Sequence, residues 1–137
     1  MAALTAATML RRHKLRLTGN RMGVLQVLQQ AGHPLSLAEL ESRLPAMDRI
    51  TMYRTLQCFR ENSLLHIIAD PGSGNIKYMF SDPDTPKNHA HFKCSTCRKI
   101  MCLDTMILPA NAFNLPEGLD AVSYSLMIEG RCTKCKQ

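Results

Sequence analysis

Asp48-Arg49-Ile50-Thr51-Met52-Tyr53-Arg54-Thr55-Leu56-Gln57-Cys58-Phe59-Arg60 is the stretch whose reading decides the fold of the first half of this 137-residue chain. Asp48 is a residue type that caps the free N–H groups at a helix start. It predicts a helix over about 50–62, with Ile50, Met52, Leu56 and Phe59 facing inward. Thr51, Tyr53, Arg54, Gln57 and Arg60 then lie toward the other side. Hydroxyls, a planar ring and guanidiniums are the groups that contact phosphates and base edges in a major groove. A solvated helix face is also polar, so the flanking segments decide what this helix belongs to.

Upstream, Thr18 is a second N-cap, opening a helix over about 19–31 whose apolar face is Met22, Val24, Leu25, Val27, Leu28 and Ala31. Gly32 and Pro34 break it. Ser36 with Glu39 three residues on forms a capping box for a short helix with Leu37, Leu40 and Leu44 as its stripe, and Pro45 ends it. Downstream, Leu64–Ala69 reads as a short strand, 71–75 (Pro-Gly-Ser-Gly-Asn) as a turn and Ile76–Phe80 as the returning strand. Helix, short helix, helix and hairpin make a winged helix-turn-helix. Before it, Arg11, Arg12, Lys14, Arg16 and Arg21 place five positive charges within eleven residues, with no acid among them. Such an arm neutralises phosphates or enters a minor groove.

Composition bounds the rest. Hydrophobic residues are 45% and charged residues 20%, a globular balance. No apolar run approaches the roughly 20 residues of a membrane span. Met1–Leu10 is mildly apolar, but Arg11 and Arg12 follow it, the wrong order for a secretory signal, so a cytoplasmic protein is expected. Of the net charge of +6, residues 1–80 carry +5 and residues 81–137 carry +1. Cysteine runs the other way, with Cys58 alone in the first part and five in the second. Ser81-Asp82-Pro83-Asp84-Thr85-Pro86 reads as a break between them. The expected organisation is an α+β protein: 1–80 a winged-helix DNA-binding domain, 81–88 a hinge, 89–137 a zinc-binding domain.

Cys94-Ser-Thr-Cys97 and Cys132-Thr-Lys-Cys135 are two C-x-x-C pairs with 34 residues between them. Two such knuckles make a closed tetrahedral four-thiolate site for Zn²⁺, structural because no position is open. A domain of about 50 residues has a thin core, so the metal is expected to supply folding energy. The long gap calls for strands, and Lys99–Leu103 and Ala121–Ile128 are the candidates. His89-Ala90-His91 precedes the first knuckle. In extended chain both imidazoles face one side and are able to share an ion. Two rival readings follow from the same residues. One is a thiol or peroxide switch that oxidises Cys94 and Cys97, with Cys58 and Cys102 as further thiols. The other is a zinc enzyme built on His89 and His91. Against an enzyme, the cysteines form a closed site and no carboxylate stands at a zincin-like spacing to act as base, so no catalytic residue is assigned.

These motifs together resemble the ferric uptake regulator family of metal-dependent repressors over nearly the whole chain, with its zinc-sensing branch the nearer. The carrying features are Leu15-Arg16-Leu17-Thr18 with Arg21, His33-Pro34, Thr51-Met52-Tyr53-Arg54-Thr55-Leu56, His89-x-His91-Phe92-x-Cys94-x-x-Cys97, and Gly130-x-Cys132-x-x-Cys135. The resemblance implies a homodimer with no membrane association that represses metal-uptake genes by binding a double-stranded operator when metal is abundant. Its C-terminal domain would form an intersubunit sheet partly from Ala121–Ile128. Tyr53 and Arg54, with Thr51, would contact DNA, Arg16 would lie near the minor groove, and Arg11 and Lys14 would extend the basic surface. Cys94, Cys97, Cys132 and Cys135 would hold structural zinc. His33, His89 and His91 would hold a second, regulatory divalent metal at the hinge.

The chain departs from the family pattern. Met79 follows Tyr78 where the family has an acid, so Asp82 or Asp84 would have to substitute. Cys102 replaces a carboxylate, Tyr124 replaces a histidine, and Ala90 stands between the two histidines. A second sensory site is therefore expected to be lost. The remaining donors are His33, His89 and His91 with Cys102 or Asp82. Nitrogen with sulfur suits Zn²⁺ better than Fe²⁺. A regulator that binds DNA without added metal is the remaining variant of this reading.

Overall fold

The structure is a computed structural model that describes residues 5–70, 72–81, 89–109, 113–121 and 124–137. The chain divides into two compact units, Met1–Pro83 and Asp84–Gln137. Asp82, Asp84 and the rest of the expected hinge after Ser81 lie outside the described residues, as does Pro71 of the hairpin turn.

The first unit is a winged helix-turn-helix. Helices α1 (Ala6–Arg12), α2 (Gly19–Ala31), α3 (Leu37–Arg43) and α4 (Arg49–Glu61) precede strands β1 (Leu65–Ala69) and β2 (Ile76–Phe80). Each helix begins at a side-chain cap that satisfies an N–H the helix itself leaves open. Thr5, Thr18 and Asp48 accept from Thr8, Arg21 and Thr51, and Ser36 with Glu39 closes the reciprocal capping box. Gly32 ends α2 at φ 68, a left-handed position that costs glycine nothing. The core gathers Met9, Leu10, Val24, Leu25, Leu28, Leu35, Leu40, Met52, Leu56, Phe59 and Leu64. β1 and β2 pair antiparallel from Leu65↔Phe80 to Ala69↔Ile76. Leu35 exchanges both backbone hydrogen bonds with Tyr78, at 2.8 and 2.7 Å, and so fastens the hairpin beside α3.

Two expectations about this unit change. Ile50 does not face inward: it is 65% exposed, and Thr55 takes the buried place instead. At about 100° per residue, position 50 points some 160° away from Met52 and falls within about 40° of Arg54. The mildly apolar N-terminal stretch runs into α1, whose Ala6, Met9 and Leu10 are buried at helical spacing. Arg11 and Arg12 therefore sit in the last turn of a helix, and Lys14 turns the chain at φ 57. The basic stretch thus runs from the end of α1 through a turn to the first turn of α2, where Arg21 lies.

The second unit is a three-stranded sheet of order β4-β3-β5, with β3 (His89–Cys94), β4 (Ile100–Ile107), β5 (Met127–Gly130) and a closing turn of helix, α5 (Thr133–Lys136). β3 pairs antiparallel with β4 and parallel with β5. The strand expected over Ala121–Ile128 is shorter: it starts at Met127, and the described residues Ala121 and Tyr124–Leu126 are not in it. Its pairing with β3 runs from His91↔Met127 to Cys94↔Gly130. Val122 and Ser123 lie outside the described residues.

Phe59 is fully buried in the helical core. Phe59→Ala should lower the stability of the first unit by about 3–5 kcal/mol, read from the denaturant midpoint by circular dichroism.

Candidate metal centres and nucleic-acid interface

The four knuckle cysteines converge. Cys94 is the last residue of β3, Cys97 lies in the turn after it, Cys132 caps α5 and Cys135 sits inside α5. Their sulfurs all lie within 4.8 Å of one another, and Cys97 Sγ is 3.8 Å from Cys132 Sγ. Zn–S bonds of about 2.3 Å at tetrahedral angles put sulfurs about 3.8 Å apart, so the donor set fits Zn²⁺.

The backbone prepares the site for anionic sulfur. The N–H of Cys97 at 3.5 Å and of Cys132 at 3.4 Å both donate to Cys94 Sγ. These donors pull the Cys94 thiol down to about 5. The N–H of Cys135 lowers Cys132 in the same way. Cys135 is pushed up to about 12, chiefly by its hydrogen bond to Cys132. Sulfurs this close resist a full set of negative charges unless a cation sits among them. The two knuckles are tied by backbone: the N–H of Ser95, at 2.7 Å, and its hydroxyl, at 3.0 Å, both donate to the carbonyl of Gly130. Arg98 closes the first knuckle at φ 63, its N–H bonded to the carbonyl of Cys94 at 2.8 Å.

A second donor set lies within the same sheet. His89 and His91 share one face of β3, with ring centroids 4.6 Å apart. Cys102 on β4 stands directly opposite His91. Their donor atoms are within 4.8 Å of one another. His89 and His91 are buried and Cys102 is half-buried. A bulge between His89 and Ala90 shifts the β4 partner of His89 to Ile107. The set is two imidazoles and a thiol, a nitrogen–sulfur site.

The remaining candidates are placed as follows. His33 is half-buried in the turn after α2, with Nδ1 3.0 Å from the carbonyl of Pro34, and belongs to no donor cluster among the described residues. His66, a half-buried residue of β1, is a metal-binding residue type that no sequence motif marks, because it stands alone in an apolar strand. On α4, Tyr53, Arg54, Gln57 and Arg60 are exposed. Thr51 is half-buried and its hydroxyl donates to Asp48 at 3.0 Å, holding that carboxyl below its usual range together with the Thr51 N–H. Arg11, Lys14 and Arg16 are exposed, and the carbonyl of Arg16 accepts from the Arg21 guanidinium at 3.1 Å. Tyr124 donates its hydroxyl to the carbonyl of Leu108 and packs edge-on against Phe113, so this position works as a packing residue.

The family model for the ferric uptake regulator family matches residues 12–128, and the chain belongs to that family. No curated protein matches it in a sequence comparison. Among solved structures it is similar to holo XcZur, with 22% identity, 94% of this chain and 95% of that one covered and a TM-score of 0.70. It is similar to a zinc uptake regulator complexed with zinc and DNA, at 20% identity, 96% and 90% coverage and a TM-score of 0.64. The ferric uptake regulator of Pseudomonas aeruginosa with manganese matches at 20% identity, 95% and 99% coverage and a TM-score of 0.63. At these identities the likeness establishes the fold. Among the described residues no helix is long and apolar enough to cross a membrane.

Arg98 pays a left-handed backbone cost of about 1–2 kcal/mol that glycine avoids, against a glycine entropy cost of about 0.5–1 kcal/mol. Arg98→Gly should therefore raise the thermal midpoint of the second unit slightly, by calorimetry at fixed zinc. A lowered midpoint would show that the arginine side chain contributes more than the strain removes.

Proposed function

Taking membership of the ferric uptake regulator family as the premise, we propose that the protein is a homodimeric, metal-dependent transcriptional repressor that works in the cytoplasm. Cys94, Cys97, Cys132 and Cys135 hold a structural zinc. His89, His91 and Cys102 hold the regulatory ion. α4 reads the operator through Tyr53 and Arg54, with Thr51 at its first turn and Arg11, Lys14 and Arg16 supplying positive charge toward phosphates. The target genes are those for metal uptake, silenced when the metal is plentiful.

The observation that carries this reading is the second donor set, separate from the closed sulfur cluster and built on two neighbouring strands. A closed four-sulfur site has no reason to release its ion within ordinary fluctuations of metal supply, whereas three donors leave a position to be completed. We assign the completing ligand to the first unit, where His33 matches the family's histidine–proline pair and His66 offers a second imidazole. An ion held by both units lowers the free energy of one arrangement of the two winged helices, and linkage requires DNA and metal to strengthen each other's binding by the same factor. Two imidazoles with a thiolate favour Zn²⁺ over Fe²⁺ as the sensed metal. Exposed Met106, Ile107, Phe113, Leu115 and Leu119 in the second unit supply apolar surface for a subunit contact. The zinc ion has a structural and a sensing part here, and no residue is assigned a catalytic one.

Metal analysis coupled to DNA binding tests the whole reading. Purified protein saturated with Zn²⁺ should hold two ions per chain, and a mild chelator should remove one of them along with DNA binding. His91→Ala should hold one ion, stay folded and lose metal-dependent binding. Two ions in that variant would refute the regulatory assignment. His33→Ala and His66→Ala, measured alongside, identify the completing ligand by which one lowers the second affinity. Tighter DNA binding with Mn²⁺ or Fe²⁺ and none with added Zn²⁺ would overturn zinc sensing while leaving the repressor reading intact.

Cys132→Ser removes one sulfur from a four-ligand shell at the N-terminal boundary of α5. It should lose the tightly held zinc and most of the dimer, seen by metal content and by light scattering. Arg54→Ala should weaken operator binding by about 1–3 kcal/mol with zinc content unchanged, in an electrophoretic or anisotropy assay.

A further inference from the structure

Ile50 is the exposed aliphatic side chain of α4, and packing does not explain its exposure. It is a large β-branched apolar residue, 65% exposed, in the first turn of a helix whose inward stripe is Met52, Thr55, Leu56 and Phe59. Its neighbours are committed elsewhere. Arg49 reaches back to α3, where its guanidinium bonds both carboxylate oxygens of Glu41 at 3.1 and 3.3 Å. Asp48 is occupied by the N–H and hydroxyl of Thr51, at 2.7 and 3.0 Å. That leaves Ile50 as the leading side chain on the outer face, about one helical turn before Tyr53 and Arg54, both exposed.

The position narrows what Ile50 meets. In helix-turn-helix docking, the N-terminal residues of the recognition helix are the ones that touch base edges. Ile50 has no donor or acceptor, so it takes no part in hydrogen-bonded readout. The Asp48 carboxylate at the helix start, kept ionised by its Thr51 bonds, disfavours a phosphate at this end. The apolar group that a major groove presents on a base edge is the C5-methyl of thymine.

Resting on the DNA-binding reading above, we propose that Ile50 is a specificity-determining residue that selects thymine in each operator half-site by packing against its C5-methyl. Arg54 and Tyr53 keep their own contacts to the operator, and Ile50 adds discrimination of thymine from cytosine at a single step. The chain gains this preference by carrying a bulky aliphatic residue where a small or polar one would leave the methyl in water.

The test uses the full-length, zinc-loaded protein. In vitro selection from a random duplex pool yields a bound site, and each thymine of that site is then replaced singly by deoxyuridine, which removes only the methyl. Wild type should lose about three- to fivefold in affinity at one thymine per half-site, the worth of one buried methyl. Ile50→Ala should bind the thymine site more weakly by a similar factor and become insensitive to deoxyuridine there. Ile50→Val should keep most of the discrimination, and Arg54→Ala should weaken thymine and deoxyuridine sites alike. Equal deoxyuridine penalties in wild type and Ile50→Ala, or no sensitive thymine at all, would overturn the role of Ile50. A pool that yields no preferred sequence would overturn the DNA-binding reading itself.

Discussion

Two backbone N–H groups aimed at one sulfur hold the second unit together. Cys97 and Cys132 both donate to Cys94 Sγ, and they come from opposite ends of that unit's chain. Each N–H favours the thiolate over the thiol, so the same contacts that fix the turns also make the sulfur a metal ligand. The parallel pairing Cys94↔Gly130 and the Ser95–Gly130 bonds bring the two knuckles to this point. Without them a sheet of three short strands would have a small core to rely on. The described core of this unit is correspondingly sparse, with Ala90, Cys94 and Ile100 its buried apolar residues.

Fixing β3 has a consequence at its other end. Side chains alternate along the strand, so Ala90, Phe92 and Cys94 share one face while His89 and His91 occupy the other. A strand pinned at Cys94 therefore presents both imidazoles on a determined side, opposite the face that carries its sulfur ligand. The two donor sets cannot exchange ligands without a one-residue slip of the strand, and such a slip would break both. The antiparallel register with β4 then delivers Cys102 across from His91. One strand thus separates a closed, all-sulfur set from a three-donor set of mixed chemistry.

The first unit was legible because its signals are local. Thr18, Ser36 with Glu39, and Asp48 cap the helices that they announce, and apolar spacing marks the buried faces. The exceptions also have local causes. Ile50 is apolar and so reads as an inward residue, although the helical angle sets it beside Arg54 and away from Met52. The first helix carries its signal only in the spacing of Ala6, Met9 and Leu10, a short pattern beside the charges that follow. The sulfur cluster was legible from two C-x-x-C pairs, since each pair is a turn that needs no tertiary information to aim its sulfurs. Cys102 was harder. Its meeting with His91 depends on the β3–β4 register, and that register contains a bulge which no sequence period announces. The extent of β5 is likewise set by its pairing with β3, from His91↔Met127 to Cys94↔Gly130, a tertiary fact that alternation within Ala121–Ile128 does not carry.

The donors on β3 and β4 are of one chemical kind: Cys102 places sulfur opposite His91, and no carboxylate among the described residues joins the set. Carboxylates favour hard, higher-coordinate ions, whereas imidazole with thiolate favours a four-coordinate borderline ion. A thiol, unlike a carboxylate, gives up a proton to become a metal ligand. Binding a metal to such a site then releases a proton, which couples affinity to pH in the alkaline direction. A carboxylate ligand, already ionised, imposes no such coupling. The choice of a thiol over a carboxylate at one position therefore sets both which ion fits and how its binding responds to acid, without altering the fold that presents it.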